Sequence, residues 1–462
     1  MAERLRHWRR AWKPLAASFI LSLALVWLSS CSTQPLPNVV LISIDTLRPD
    51  RLGCYGGPRP TSPAIDELAK IGILFQNAFT PSPWTVPGHA SMLTGMYPSS
   101  LSSNPVDFRM YRQGRLLSSM LQDAGFDTGA VTGGGFVSSK LGVSEGFDFF
   151  KDEGTAEDAV EWIRQREERP FFLFFHTFEV HAPFTDKRFA KEADAGTLAG
   201  IYQDKKLGEI HHRVACEAAE LTASEKEYLV ALYDGGIARA DEMVAELIHS
   251  LKSRRLFDRT IVIITSDHGE EFWEHTGRGA FHGHSLYNEL LRVPLIWLDP
   301  EIPHGQVSDQ PVSILDIVPT LVSRLDLEEE GPFDGLDIGP ILEGHTEESI
   351  RRRFLFGEAV YTGPIRYSVR SIAAKLIRTP EPAKQIGPKK SCLPVKAPAE
   401  NELFLREDPG EITNRFAEYP DLAKELQIHL HRHIERPVKI RNSQETIDQE
   451  TIKKLRSLGY LN

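Results

Sequence analysis

Cysteine is scarce in this 462-residue chain: Cys31, Cys54, Cys216 and Cys392 are all it has, and none stands at CxxC spacing. That excludes a disulfide framework and a thiolate zinc site as the basis of its chemistry. Long apolar runs are also lacking. After one stretch from Leu15 to Leu28, no segment approaches the ~20 residues that a membrane-spanning helix needs, so a multi-span membrane protein is excluded. Positive charge is in deficit, with 53 Lys and Arg against 64 Asp and Glu, and a net charge of −11 gives no footprint for a nucleic-acid partner. No repeat period appears. What is present is ordinary globular composition, 41% hydrophobic and 25% charged, in a chain long enough for one large core and a smaller unit.

The N-terminus reads as an address. Arg4, Arg6, Arg9, Arg10 and Lys13 precede the apolar run, which closes at Leu28-Ser29-Ser30-Cys31. A basic region, a short apolar region and small residues form a secretory signal, and the small residues leading into cysteine resemble the bacterial lipobox. The resemblance implies that residues 1–30 are a lipoprotein signal peptide and that Cys31 is lipidated, making an exported protein tethered to a membrane of the cell envelope. The pairing of Cys54, Cys216 and Cys392 stays open.

The body alternates short apolar runs with helical periodicity. Val39 to Ile44, Gly129 to Thr132, Phe171 to Phe175, Ile261 to Thr265 and Pro294 to Leu298 read as buried strands. Ser62 to Ile71, Arg115 to Ala124, Ala156 to Arg166 and Ser224 to Arg254 carry i, i+3, i+4 apolar spacing and read as covering helices. The expected fold is α/β, a mostly parallel central sheet flanked by helices, over residues 31–350. The polar segment from about Ala190 to Glu220 reads as an insertion or lid. A small C-terminal α+β subdomain with an antiparallel sheet is expected over 351–435, from the β-like pieces Phe354 to Glu358 and Tyr367 to Ile377 and the loop Thr379 to Pro398. A tail helix, Glu445 to Leu458, falls within 436–462.

Three places carry candidate chemistry. The first strand ends in Ile44-Asp45-Thr46 and the fourth in Thr265-Ser266-Asp267-His268-Gly269-Glu270. Groups just past the carboxyl ends of parallel strands face the ligand crevice, so two carboxylates and an imidazole can converge there on a divalent cation; Asp is equally favoured as a helix N-cap. Between them, Thr85-Val86-Pro87-Gly88-His89 through Gly95 reads as a helix with Thr85 as N-cap and Gly95 as stop. A hydroxyl there sits beside unpaired N–H groups at the positive end of the dipole, where an anionic ester would be held, and His89 shares its face.

These residues, taken in order, resemble the sulfatase family of the alkaline-phosphatase superfamily. Pro37 to Asp45 with Leu52-Gly53-Cys54-Tyr55-Gly56 is similar to its first strand and turn, and Thr85 to Gly95 has the spacing of its nucleophile signature. Pro170 to Pro183, with His181, is similar to its substrate-facing His segment, and Ser266 to Glu270 to its second metal segment. His282-Gly283-His284 up to Val293-Pro294-Leu295, and Asp316 to Thr320, also match. The resemblance implies an alkaline-phosphatase-like fold and a metal-dependent hydrolase of ester bonds.

The departures shape the expected reaction. The family converts a Cys or Ser at the nucleophile position to formylglycine and keeps an Arg four residues on; here these are Thr85 and His89, and Thr46 replaces a second Asp. The T-x-P-x-H pattern is similar instead to the nucleophile segment of nucleotide pyrophosphatase/phosphodiesterases, whose Thr attacks phosphorus directly. Asp45, Thr85, Asp267 and His268 are then the expected ligands of one divalent ion (Mn²⁺, Zn²⁺ or Ca²⁺). His181, His282 or His284 would orient or protonate the leaving oxygen; alternatively Glu179, His181 and His282 or His284 would hold a second ion. The expected activity is hydrolysis of phosphate esters, diesters or related, through a covalent Thr85 intermediate, on a small-molecule, glycan or lipid substrate. Sulfatase activity, transfer of the phospho group at the membrane, and a catalytically silent scaffold are the alternatives.

Overall fold

The computed structural model describes residues 36–436 except 105, 167–168, 200–220, 276–279, 303–304, 330, 381–384 and 387–398. The signal segment with Cys31, most of the 190–220 insertion, Cys216, Cys392, most of the 379–398 loop and the tail helix lie outside the described residues.

Eight strands form the central sheet: β1 (Asn38–Ile44), β2 (Ile73–Phe75), β3 (Asp127–Thr132), β4 (Phe149–Asp152), β5 (Phe171–Thr177), β6 (Thr260–Thr265), β7 (Leu295–Leu298) and β8 (Gln306–Ser308). Their order is β8-β2-β7-β6-β1-β5-β3-β4. β1 pairs in parallel with β5 and β6 at the centre, β5 continues in parallel to β3 and β3 to β4, and β7 alone runs antiparallel to both neighbours.

The central strands are apolar at nearly every position because both faces are covered. In β1, Val39 and Leu41 enter the core on one face, and Val40, Ile42 and Ile44 enter the core on the other. β5 splits the same way, with Phe172 and Phe174 opposed to Phe171, Leu173 and Phe175. The first face is covered by helices α2 (Thr85–Thr94), α3 (Leu117–Asp123) and α6 (Ile317–Arg324), and the second by α1 (Pro63–Ile71), α4 (Ala156–Arg164) and α5 (Ala223–Ser253). α5 begins in a capping box, Thr222 with Glu225, that satisfies two amides at its start. The polar reading of the insertion fails at its beginning: Ala195 and Leu198 are buried in the second core, and Thr197 donates to Glu225 through both N–H and hydroxyl.

Beyond the sheet, Leu355–Gly357, Tyr367–Arg370, Ala374–Arg378 and Asn401–Leu405 make a four-stranded antiparallel sheet. The β-like piece Tyr367 to Ile377 forms two of these strands, paired antiparallel as a hairpin. Helix α7 (Pro420–Ile434) packs Ala423, Leu426 and Leu430 on it.

Candidate active site

Elements from both halves of the sheet meet at the carboxyl ends of β1, β5 and β6. Asp45 follows β1 directly and its N–H donates to the Thr177 carbonyl at the end of β5. Asp267 and His268 lie two and three residues past β6. All three are fully buried. One oxygen or nitrogen from each of Asp45, Asp267 and His268 lies within 4.8 Å of the others, the one such grouping among the described residues.

Helix α2 brings Thr85 to this group. Trp84, in extended conformation, is the N-cap, so Thr85 is the first helical residue rather than the cap. Its hydroxyl does not turn back onto the helix; Oγ1 lies 3.3 Å from His268 Nε2. The first intrahelical bond is from Gly88 N–H to the Trp84 carbonyl, which leaves the Thr85 and Val86 amides at the positive end of the helix for an anion. Gly95, left-handed at φ 70°, closes the helix as expected.

Hydrogen bonding decides where protons sit. His268 Nδ1 is 2.9 Å from the Gly269 carbonyl and donates to it, so Nε2 of the neutral ring presents a lone pair. That lone pair faces Asp267 Oδ2 at 3.3 Å and Asp45 Oδ1 at 3.8 Å. Both carboxylate oxygens are buried without a hydrogen-bond partner. Acceptors facing one another out of reach of water repel, and a divalent cation is the group that satisfies them. The donor set, two carboxylates, an imidazole and a hydroxyl, fits such an ion.

The carboxyls differ in character. Burial, reinforced by Asp267 and Glu270, pushes Asp45 well above the usual carboxylate range. For Asp267 burial acts in the same sense, but His268 and His89 outweigh it and hold the group low. Burial lowers His268 to about 4, against the pull of Asp267, which keeps its ring neutral and able to ligate.

His89 and His176 support this group. His89 is fully buried, with Nδ1 donating to the Thr85 carbonyl at 3.1 Å and Nε2 accepting from Ser43 Oγ at 2.9 Å; Nδ1 also lies 3.2 Å from Asp267 Oδ2. His176, on β5, accepts the Gly133 N–H at Nδ1 and stands 3.3 Å from Asp45 Oδ2 at Nε2. Burial keeps it neutral, so the Nε2 proton points at Asp45. Neither His176 nor Ser43 was singled out in the sequence: a lone His closing a Phe-rich strand reads as core, and only the β1–β5 register places it beside Asp45.

The remaining histidines divide. The His282 ring lies 4.5 Å from that of His268 and 5.0 Å from that of His181, so these three adjoin at the site. His282 Nδ1 is 2.9 Å from Glu270 Oε1, and burial raises the Glu270 carboxyl to about 8. His284 is instead held by Glu271 at 2.9 Å. Glu179 is exposed and joins no grouping of metal-ligating side chains among the described residues. Glu270 closes the segment already read in the sequence, and Glu271 follows it, two and three residues past His268 with Gly269 between; nearness to Asp267-His268 was the signal by which Glu271 could have been found.

With this geometry in hand, the comparisons with known proteins agree. The Sulfatase family model matches residues 37–156 and 142–327, more than half of the chain. The chain belongs to the sulfatase family of the alkaline-phosphatase-like superfamily. It is a hydrolase of sulfuric or phosphoric ester bonds. Among its relatives is the Delta 4,5-hexuronate-2-O-sulfatase of Bacteroides thetaiotaomicron, 25% identical over 365 residues, covering 69% of this chain and 74% of the relative. An N-acetylglucosamine-6-O-sulfatase of the same organism is 23% identical and covers 89% of each chain. Among solved structures, the phosphonate monoester hydrolase of Agrobacterium radiobacter superposes with a TM-score of 0.67 at 20% identity, over 86% of this chain and 96% of that one.

Proposed function

We propose that this protein is an exported, metal-dependent hydrolase that cleaves phosphate esters, diesters or the related phosphonate esters, through a covalent intermediate on Thr85. The observation that carries this reading is the placement of the Thr85 hydroxyl: it opens α2 and points at His268 Nε2, beside the orphaned oxygens of Asp45 and Asp267. A threonine cannot be converted to formylglycine, so sulfatase chemistry of the ordinary kind has no nucleophile here. That a phosphonate monoester hydrolase shares the fold supports a phosphorus ester as substrate.

Asp45, Asp267, His268 and Thr85 would hold a divalent cation, which supplies the positive charge that acidifies a hydroxyl and polarises an ester oxygen. In the first step a bond forms between Thr85 Oγ and phosphorus while the bond from phosphorus to the leaving oxygen breaks. The hydroxyl proton passes to water, and the leaving oxygen takes a proton from His282, which Glu270, raised by burial to about 8 and 2.9 Å from His282 Nδ1, replaces. The amides of Thr85 and Val86 hold the anionic phosphoryl oxygens. Water then attacks phosphorus, the bond from phosphorus to Thr85 Oγ breaks, and the proton lost by the attacking water restores the Thr85 hydroxyl. The basic N-terminus, the apolar run and Cys31 support a lipid-anchored location; palmitate labelling of the full chain, lost in Cys31→Ser, is its test.

The reaction is tested on protein loaded separately with Mn²⁺, Zn²⁺ and Ca²⁺, offered 4-nitrophenyl phosphodiester, phosphonate, monoester and sulfate esters. Turnover of the diester or phosphonate that disappears in Thr85→Ala, with the mass of phosphorus and its retained ester or carbon substituent on the Thr85 peptide after acid quench, is expected. Sulfate turnover that survives Thr85→Ala would overturn the reading.

A further inference from the structure

Trp84, the residue before Thr85, is held by a distant part of the chain. It is buried, and its extended backbone at the start of α2 is what turns the Thr85 hydroxyl toward His268. The Trp84 side chain makes no cap bond to the helix; its Nε1–H donates to the Ala359 carbonyl at 2.6 Å, the partner that a buried indole N–H needs. The same carbonyl accepts from the Ser82 hydroxyl at 3.3 Å. Ala359 adopts a left-handed φ of 58°, unfavourable for a residue with a Cβ and sustained only where the surroundings fix it. It belongs to a strap, residues 358–362, that leaves the strand Leu355–Gly357 and crosses the site. Glu358 N–H donates to the Pro81 carbonyl at 2.8 Å, and the amides of Tyr361 and Thr362 donate to the Gly283 carbonyl at 2.6 and 3.0 Å. Gly283 N–H in turn donates to the Pro83 carbonyl at 2.9 Å. Gly283 follows His282, whose ring lies 4.5 Å from that of His268. One strap thus bonds both the residue before Thr85 and the residue after His282.

The strap is anchored by a buried ion pair. Glu358 Oε1 accepts the Ser99 N–H at 2.7 Å, and Oε2 accepts from His433 Nε2 at 3.0 Å. Burial works against the Glu358 charge, but the bonds from His433 and Ser99 outweigh it and hold the carboxyl below its ordinary range. His433 stands in the last turn of α7, stacked on Phe356 at 3.9 Å with planes 6° apart and edge-on to Tyr97 at 4.7 Å. Arg436, just beyond the helix, donates to Asp334 Oδ1 and to the Ser99 and Ser100 hydroxyls at 2.7–3.0 Å. Tyr97 to Ser100 begin two residues past Gly95, where α2 ends. The end of α7 is therefore tied to α2 at both of its ends, through the strap at Trp84 and directly beyond Gly95. A buried pair whose oxygens are each bonded fixes one arrangement of its neighbours, and losing one partner leaves the other charge unsatisfied.

We propose that Trp84, Glu358 and His433 are positioning residues, which act through the 358–362 strap to hold Thr85 in line with His282, the attacking oxygen opposite the source of the leaving group's proton. This rests on the reading of Thr85 as nucleophile and His282 as proton donor, and the experiment separates the two. Methyl 4-nitrophenyl phosphate and methyl phenyl phosphate differ only in the leaving group: nitrophenolate departs with little help from a proton, whereas phenolate needs one. Loss of folded protein lowers both rates alike, so the ratio of kcat values reports alignment alone. Trp84→Phe keeps a ring and removes the N–H; His433→Phe keeps the stacking on Phe356 and removes the bond to Glu358. On Mn²⁺-loaded protein each should lower kcat by about 10- to 100-fold for the phenyl ester and by less than about 10-fold for the nitrophenyl ester. His433→Gln, whose amide can donate to Glu358, should bring the ratio back toward wild type. Amide hydrogen exchange needs no turnover, and His433→Phe should speed it in peptides covering 282–285 and 358–362. Unchanged exchange there, or a leaving-group ratio that neither Phe variant alters, overturns the proposal. Wild-type turnover of the nitrophenyl ester that is lost in Thr85→Ala checks the nucleophile. If that turnover is present while ratio and exchange ignore the variants, the strap's role alone falls. If wild type turns over neither ester, or Thr85→Ala retains turnover, the reading of Thr85 falls and takes the strap's role with it.

Discussion

A methyl group on Gly88 would stand 2.7 Å from the carbonyl oxygen of Asp267 and 3.2 Å from its Cβ, so helix α2 sits directly on the backbone of the candidate metal ligand. The contact sets the distance between two parts of the site that the chain joins only over long range: Thr85 and His89 on α2, and Asp267 and His268 after β6. Glycine is required here for closeness, since the helix itself disfavours it.

Gly88→Ala follows as a test of how tightly that distance is set. The backbone oxygen of Asp267 cannot move aside as a flexible side chain would, so α2 must shift outward by some tenths of an ångström. Steady-state kinetics should show kcat lower by about 10- to 100-fold, the usual cost of a small misplacement of reacting groups. The intrinsic gain of alanine in a helix is ~1 kcal/mol and partly offsets the clash, so the melting temperature should fall by only a few degrees. Unchanged kcat in a folded variant would show that the spacing of α2 from Asp267 does not matter to the reaction.

Cation binding should release protons at low pH and should tighten as pH rises. In the cation-free protein, burial together with Asp267 and Glu270 holds the Asp45 carboxyl well above its ordinary range, and burial brings Glu270 to about 8. Raised carboxyl values mean that the cation-free fold has its full share of stability below the ordinary carboxylate pKa of ~4 and loses it as pH rises toward those raised values. A cation reverses the penalty by displacing the proton. Mn²⁺ should therefore raise the melting temperature more at pH 8 than at pH 5.5, and calorimetric heats in two buffers of different ionisation enthalpy should reveal proton release. Equal heats in both buffers would contradict this account of Asp45.

What could be read from the chain and what could not follows from the range of the interactions concerned. Val39 to Ile44, Phe171 to Phe175 and Ile261 to Thr265 announce themselves because a strand buried on both faces is apolar throughout. Ile73–Phe75 and Gln306–Ser308 are three residues each, too short for any periodicity, and the edge strand Phe149–Asp152 is largely unburied. Asp45, Asp267 and His268 were legible because each lies just past a strand end. The partners that orient them were not: Ser43 finds His89, and His176 finds Asp45, through strand register and helix packing across 46 and 131 residues of sequence. The one-residue offset at Thr85 has a local cause, since Trp84 takes the extended cap conformation and frees the hydroxyl for His268.

Glu225 offers a check on the fold away from the active site. Its carboxylate accepts from the hydroxyl and amide of Thr197 and from those of Thr222, and these bonds, the Thr197 hydroxyl foremost, hold it down at about 2. A depressed carboxyl contributes stability that is present above its ordinary value of ~4.3 and is lost as pH falls through 2. Glu225→Gln keeps the shape and removes the charge. Urea unfolding at pH 7 should show a loss of about 1–2 kcal/mol, typical of a broken capping box with added hydrogen bonds. The difference from wild type should shrink steadily below pH 4.5. A difference independent of pH would mean that the carboxylate charge is irrelevant to the cap.

His176 tests the support beneath the metal ligands. Its Nδ1 is occupied by the Gly133 amide, so the only proton it can offer at Nε2 points toward Asp45 Oδ2, 3.3 Å away, leaving Asp45 Oδ1 for a cation. Partners of this kind orient a ligand and tune its basicity, and their loss costs about 10- to 100-fold in metal affinity. His176→Phe retains the packing against His89 and Phe178, whose rings lie 4.9 and 4.6 Å away, while removing both hydrogen bonds. Mn²⁺ titration should show a dissociation constant weakened within that range. His176→Gln, whose amide can both accept from Gly133 and donate to Asp45, should recover part of it. If His176→Phe binds Mn²⁺ as wild type does, Asp45 is oriented by its backbone alone, and the imidazole is merely a core side chain that happens to adjoin it.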